Sequence, residues 1–180
     1  MRLAIMPNPE QANKFWTFSL DVYARPEVES ACLRLQFDHA LDVNAVLFCA
    51  WTGGLGISLD NSTLEEQIGA ATEWQELAVQ PIRVIRRRLK NLTVAGLSLS
   101  GRDDLRQSIM TAELAAEKLE QSILVQMIAG LPEGVPSAAL ADANFDAYWR
   151  IAGQGDHLVA LEAWQIIRAA AFSSDSRASA

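Results

Sequence analysis

Cysteine and histidine are scarce in this chain of 180 residues, which holds two of each: Cys32 and Cys49, His39 and His157. Two thiols without C-x-x-C spacing are too few for a secreted disulfide scaffold and fit buried free thiols in a reducing compartment. The histidines lie far apart and neither belongs to a Glu-x-x-His motif, so neither a zinc cluster nor a di-iron bundle can be assembled from the ligands present. Long apolar runs are absent too. The longest uncharged one, residues 43–59, is broken by Asn44, Thr52, three glycines and Ser58, and cannot cross a bilayer as a plain helix. The first nine residues fall short of a secretory leader. Neither G-x-S-x-G nor G-K-[ST] occurs, which removes the esterase elbow and the P-loop. These exclusions predict a cytoplasmic protein with no metal, no cofactor, no membrane partner and no recognisable catalytic residue, and they lean against an enzyme.

The net charge is -7, and its distribution is uneven. Between residues 79 and 106 there are seven basic and two acidic side chains; the 78 residues before hold four and eleven, and the 74 after hold four and nine. A basic band between two acidic ends either docks an anionic partner or pairs with the protein's own carboxylates.

Helical periodicity runs through the chain, and no stretch alternates as a strand for more than four residues. The first helix is expected from about Gln11 to Ala24, ended by Arg25-Pro26, whose proline opens the next. In that second helix Val28, Ala31, Cys32, Leu35 and His39 form one stripe. Asp42 is placed to cap a third helix, apolar on every side from Ala45 to Trp51, which should form the centre of the core. Ser62 and Glu65 read as a capping box for a fourth helical region reaching toward Leu92, which Pro81 must kink or split near Gln80. A long helix from about Asp103 to Ala129 carries a narrow seam of Leu105, Ile109, Ala112, Ala116, Leu119, Ile123 and Met127. Two shorter helices follow, over residues 137–152 and 156–172. The expected fold is all-α, an irregular helical bundle of six or seven helices. It divides into a core domain over 11–130, a C-terminal helical pair over 137–172, packed on it or appended, and a disordered tail over 173–180.

Four segments in order carry a resemblance: Phe15-Trp-Thr-Phe-Ser-Leu-x-x-Tyr23; Pro26-x-Val28-x-x-Ala31-Cys-Leu-x-Leu-Gln36; Asp42-Val-Asn-x-x-Leu-Phe-x-x-Trp-x-Gly53; and Pro81-Ile-Arg-x-x-Arg-Arg-x-Leu-Lys90. Together they resemble a family of small proteobacterial proteins defined as a domain of unknown function, over about residues 15–130. The resemblance implies a helical cytosolic protein and carries no activity with it.

Among the candidate sites, Arg83, Arg86, Arg87 and Lys90 recur at three and four residues and share one helical face, opposite Val84, Ile85, Leu89 and Leu92. Guanidinium forks on one face suit a phosphate or carboxylate, while a solvated face answered by acidic neighbours explains them equally. No aromatic residue lies between Pro81 and Ala143, which disfavours nucleic acid, though it stays open as a partner. Trp16, Tyr23, Trp51 and Trp74 are candidates for lining a pocket, against the commoner role of aromatic residues as core. Asp42 and Asn44 are explained by helix capping, and Asp103-Asp104 by a cap for the long helix. The function expected from these features is binding of another macromolecule, most naturally a protein, through a helical face; homo-oligomerisation is compatible with the seam. The alternative is a phosphate-bearing ligand, nucleotide or nucleic acid at the arginines. A third reading, a small enzyme acting on an anionic metabolite, requires a concave pocket joining Arg83 or Arg87 to a carboxylate or histidine of shifted pKa.

Overall fold

The computed structural model describes residues 9–173. Of the tail expected to be disordered over 173–180, all but Ser173 lies outside them, as do residues 1–8. Among the described residues the fold is all-α without strands: α1 (Pro9–Tyr23), α2 (Val28–His39), α3 (Val43–Gly54), α4 (Asn61–Trp74), α5 (Gln80–Leu89), α6 (Leu99–Val125), α7 (Ala138–Ala152) and α8 (His157–Ala171). A π-helical turn, Gln75–Val79, joins α4 to α5, so the chain forms seven rods. Pro81 therefore does not split the fourth region. The helix widens by one turn just ahead of the residue that lacks an N–H, and carries on in the first turn of α5.

Helix α3 sits at the centre as its all-round apolarity requires, with every residue from Ala45 to Gly53 buried. Phe15 of α1 stacks on Trp51 at 5.0 Å and meets Phe48 edge-on at 5.3 Å. The C-terminal helices flank it, α7 against α3 and α8 against α2, with Phe145 stacked on Trp164 at 4.5 Å. Asp42, Ser137 and Asp156 cap α3, α7 and α8 through side-chain oxygens. Two other caps differ from expectation. Asp60, not Ser62, caps α4, accepting from the Ser62 and Thr63 amides at 3.0 Å, and the Ser62 hydroxyl donates to it. Ser98, not Asp103, caps α6, so that helix begins four residues earlier than its apolar pattern. The second helix starts at Val28, because Glu27 takes a left-handed conformation at φ 66°.

At the α3–α7 crossing a Cβ on Gly53 would stand 2.5 Å from that of Ala141 and 2.6 Å from its backbone. The Gly53→Ala variant is expected to lose about 1–3 kcal/mol in urea denaturation despite alanine's better helix propensity, since the opposing atoms are backbone and cannot rotate away.

The seam on α6 is where sequence and structure diverge most. Leu105 and Leu119 are 51% and 55% exposed, whereas Glu113, Glu120 and Gln121 are buried. The inward face is rotated away from the apolar repeat toward a set of polar side chains.

Candidate functional site

Glu113 and Gln121, with Glu117, stand on one wall of a cleft of about 610 Å³ between α1, α2 and α3 on one side and the α4–α5 rod and α6 on the other, and Glu120 lies behind that wall. Its geometry starts from helical spacing: Glu113, Glu117 and Glu120 lie four and three apart and therefore share a face of α6. Facing them on α5, three residues apart, are Arg83 and Arg86. Arg83 Nε donates to Glu113 Oε1 at 3.0 Å and its terminal nitrogen to Glu117 Oε1 at 2.7 Å. Arg86 forks onto both oxygens of Glu113. The charges of this group of four cancel, which is why Arg83, with 11% of its side chain exposed, can be held inside.

Deeper in, Asp42 does two things at once. Its Oδ1 accepts from the Ala45 amide at 3.0 Å as the α3 cap, and its Oδ2 accepts from Gln75 Nε2. The same Gln75 nitrogen donates to Glu120 Oε2 at 2.9 Å, and the two carboxyl groups are hydrogen-bonded to each other. Gln75 is the first residue of the π-helical turn, so the irregular turn sets the amide between the two acids. Glu120 has no exposed surface. Burial, and then the charge of Asp42, push its carboxyl up to about 10, so that at neutral pH it keeps its proton and donates to Asp42. Asp42 is raised as well, again by burial, with the Ala45 amide and the bond from Glu120 pulling the other way. The Tyr148 hydroxyl accepts from the Asp42 backbone N–H at 2.8 Å and ties α7 to this point.

Beside this pair Gln121 Nε2 donates to Asn44 Oδ1 at 2.8 Å and to the Ser19 hydroxyl at 3.1 Å, which leaves its buried Oε1 without a partner among the described residues. Glu117 is raised by burial, partly offset by Arg83, and burial pushes the Tyr23 phenol up to about 12. The opposite side adds apolar surface from Trp16, Leu20, Leu33, Val43 and Leu47 beside its polar Ser19, Asp42 and Asn44. No group of three or more metal-ligating side chains occurs among the described residues.

The structure separates the residues singled out in the sequence. Arg83 and Arg86 point inward to their carboxylates, Arg87 lies at the cleft rim 5.8 Å over the Phe37 ring, and Lys90 is exposed beyond the end of α5. Trp16 and Tyr23 line the cleft; Trp51 is core, and Trp74 spends its indole N–H on the Ala116 carbonyl at 2.9 Å. Helix α5 is rotated relative to its amphipathic pattern: Arg83 and Arg86 pack inward beside Leu89, while Val84 and Ile85 of the apolar face stand 42% and 50% exposed. Asp42 and Asn44, accounted for in the sequence as capping residues, belong to the site. The signal for the rest lay in the acidic repeat at 113, 117 and 120, set against arginines at 83 and 86.

Fold and site define an all-α protein whose central helices enclose a cleft lined by apolar side chains and by paired acids, amides and arginines. The profile of the family described as "Protein of unknown function (DUF2390)" matches residues 14–124, and the chain belongs to that family. Every side chain lining the cleft lies within the matched segment. Comparisons with curated proteins and with solved structures find no match. Among the described residues no helix is long and apolar enough to cross a membrane.

Proposed function

We propose that the protein binds a small organic molecule in this cleft, with Asp42, backed by the buried Glu120, as its polar anchor. The observation that carries the proposal is the placement of that pair: two hydrogen-bonded carboxyl groups beside an open cleft large enough for a metabolite, at a cost in burial that a purely structural core would avoid. The arginines inside are neutralised by Glu113 and Glu117, so they offer little to an anion. What the lining offers at depth is the Asp42 carboxyl group with the Asn44 and Gln121 amides beside it. These suit a hydroxyl or a protonated nitrogen, while Trp16 and Leu20 cover an apolar body. One observation favours a second reading, contact with another macromolecule through a helical face: the outward turn of Val84 and Ile85 on α5.

A thermal-shift panel of amines, polyols, carboxylates and phosphates at fixed ionic strength, followed by Trp16 emission, tests the proposal. Amines and polyols should raise the Tm, and Asp42→Asn, which keeps the cap but not the charge, should weaken amine binding about tenfold or more. Hits confined to anions, or hits indifferent to Asp42→Asn, would overturn it.

A further inference from the structure

The rotated helix α5 has an outer surface that the fold leaves uncovered. Val84 and Ile85 lie on its solvent side, and Leu92 follows just past its end. They are 42%, 50% and 38% exposed, and the turn beyond continues the surface with Val94, Leu97 and Leu99 at 51%, 45% and 61%. Arg102 draws the start of α6 back onto this turn by donating to the Leu92 carbonyl at 3.2 Å, so the exposed aliphatic side chains of residues 92–99 lie at the tip of the α5–α6 hairpin, with Val84 and Ile85 along α5 leading to it. Arg88 and Lys90 stand exposed among them, with no carboxylate partner among the described residues.

We propose that this tip docks on an anionic membrane surface, as a peripheral contact without any span. The composition favours lipid over other occupants. Aliphatic side chains beside unpaired cations are the makeup of an interfacial segment, which sinks its apolar face to the headgroup boundary and sets its cations against lipid phosphates. A nucleic-acid surface would offer aromatic platforms, and a protein interface favours aromatic residues and excludes lysine from its centre; residues 82–142 contain no aromatic side chain and the tip carries Lys90. Charge adds a direction. Apart from the inward, neutralised Arg83 and Arg86, the segment 79–106 holds five basic and two acidic residues in a chain of net charge -7, so an anionic surface attracts the hairpin and repels the acidic body. The molecule would meet the membrane tip first.

Flotation of the full chain with vesicles of phosphatidylcholine alone, and of phosphatidylcholine with phosphatidylglycerol, tests this at low and high salt. Binding should appear with the anionic vesicles and fall with salt. The double variant Arg88→Gln, Lys90→Gln should reduce partition about tenfold or more, and the triple variant Ile85→Ser, Leu92→Ser, Leu97→Ser should abolish it. All five positions are solvent-facing, and unchanged circular dichroism and Tm verify the fold of each variant. Equal binding to neutral and anionic vesicles, no binding to either, or folded variants that float like the wild type would overturn the proposal. So would a wild-type dimer in sedimentation that the serine variant dissociates, since the face would then belong to a second copy, or retention of the wild type by duplex DNA in place of vesicles.

Discussion

Glu120→Gln is expected to stabilise the protein, by an amount that grows with pH. In the folded state the Glu120 carboxyl is fully buried, hydrogen-bonded to Asp42 and pushed up to about 10 from an ordinary value of 4.5. Below that ordinary value both folded and unfolded chains hold the proton, and it contributes no pH dependence. Between the two values the unfolded chain releases a proton that the folded chain retains, so wild-type stability falls as pH rises. Glutamine keeps an N–H donor for Asp42 and an oxygen for the Gln75 amide, and has no proton to lose. Urea midpoints should coincide for wild type and variant near pH 4 and separate in favour of the variant by about 2 kcal/mol or more at pH 7.5. A variant less stable than wild type at every pH would show that the buried glutamate is ionised and that the Asp42–Glu120 pair does not hold a proton. Loss of ligand binding in the same, more stable variant would separate what this residue does for function from what it does for the fold.

Glu113→Ala acts in the opposite direction and is expected to cost about 3 kcal/mol. Glu113 is 5% exposed and receives Arg83 and both donors of the Arg86 fork. Alanine leaves two guanidinium groups over a largely dry wall, with Glu117 still holding Arg83 alone. The loss should be concentrated in α5, because Leu89 is that helix's one buried residue and its docking rests on these ion pairs more than on apolar contact. Hydrogen exchange should therefore rise over residues 80–98 before it rises in α3. Replacing Arg83, Arg86 and Glu113 together by methionine should recover much of the stability, since the penalty comes from unpaired charge and not from missing attraction. A single-variant loss below about 0.5 kcal/mol would mark the cluster as an exposed pair of little weight.

The two glutamates, on one face of one helix, also respond oppositely to acid. Burial raises the pKa of Glu113, but the bonds from Arg86 and Arg83 outweigh it and hold the carboxyl below its ordinary range. Its stabilisation is present above the unfolded value and is lost as pH falls through the folded one, whereas that associated with Glu120 is lost as pH rises. Glu113→Ala should thus flatten the acid limb of the stability profile and Glu120→Gln the alkaline limb.

Much of the fold was legible because its determinants are local. The 3.6-residue repeats placed the helices, the uniform apolarity of Ala45 to Trp51 placed α3 at the centre, and Asp42 capped the helix it precedes. The stripe of Val28, Ala31, Cys32, Leu35 and His39 is the buried face of α2 as drawn from its spacing. Little of the cleft could be drawn this way. Trp16 and Tyr23 emerged as candidate lining residues, and Arg83 and Arg86 as a charged group, but the partners of those arginines lie about thirty positions away on another helix. Glu120 and Gln121 interrupt an apolar repeat and look like its polar side.

The sequence by itself determined helix content, most helix ends and the identity of the central helix, because hydrogen-bonded turns, caps and hydrophobic periodicity act over a few residues. Only the tertiary structure decided which face of α5 and α6 turns inward. An amphipathic pattern says that two faces differ, and inward burial of the apolar one is merely the cheaper default. Here Arg83 and Arg86 and the carboxylates of Glu113 and Glu117 neutralise and hydrogen-bond one another, so the polar faces meet inside and Val84 and Ile85 of α5 are left to solvent. That choice depends on the joint placement of α5, α6 and the π-helical turn that brings Gln75 between Asp42 and Glu120, and no single segment encodes it.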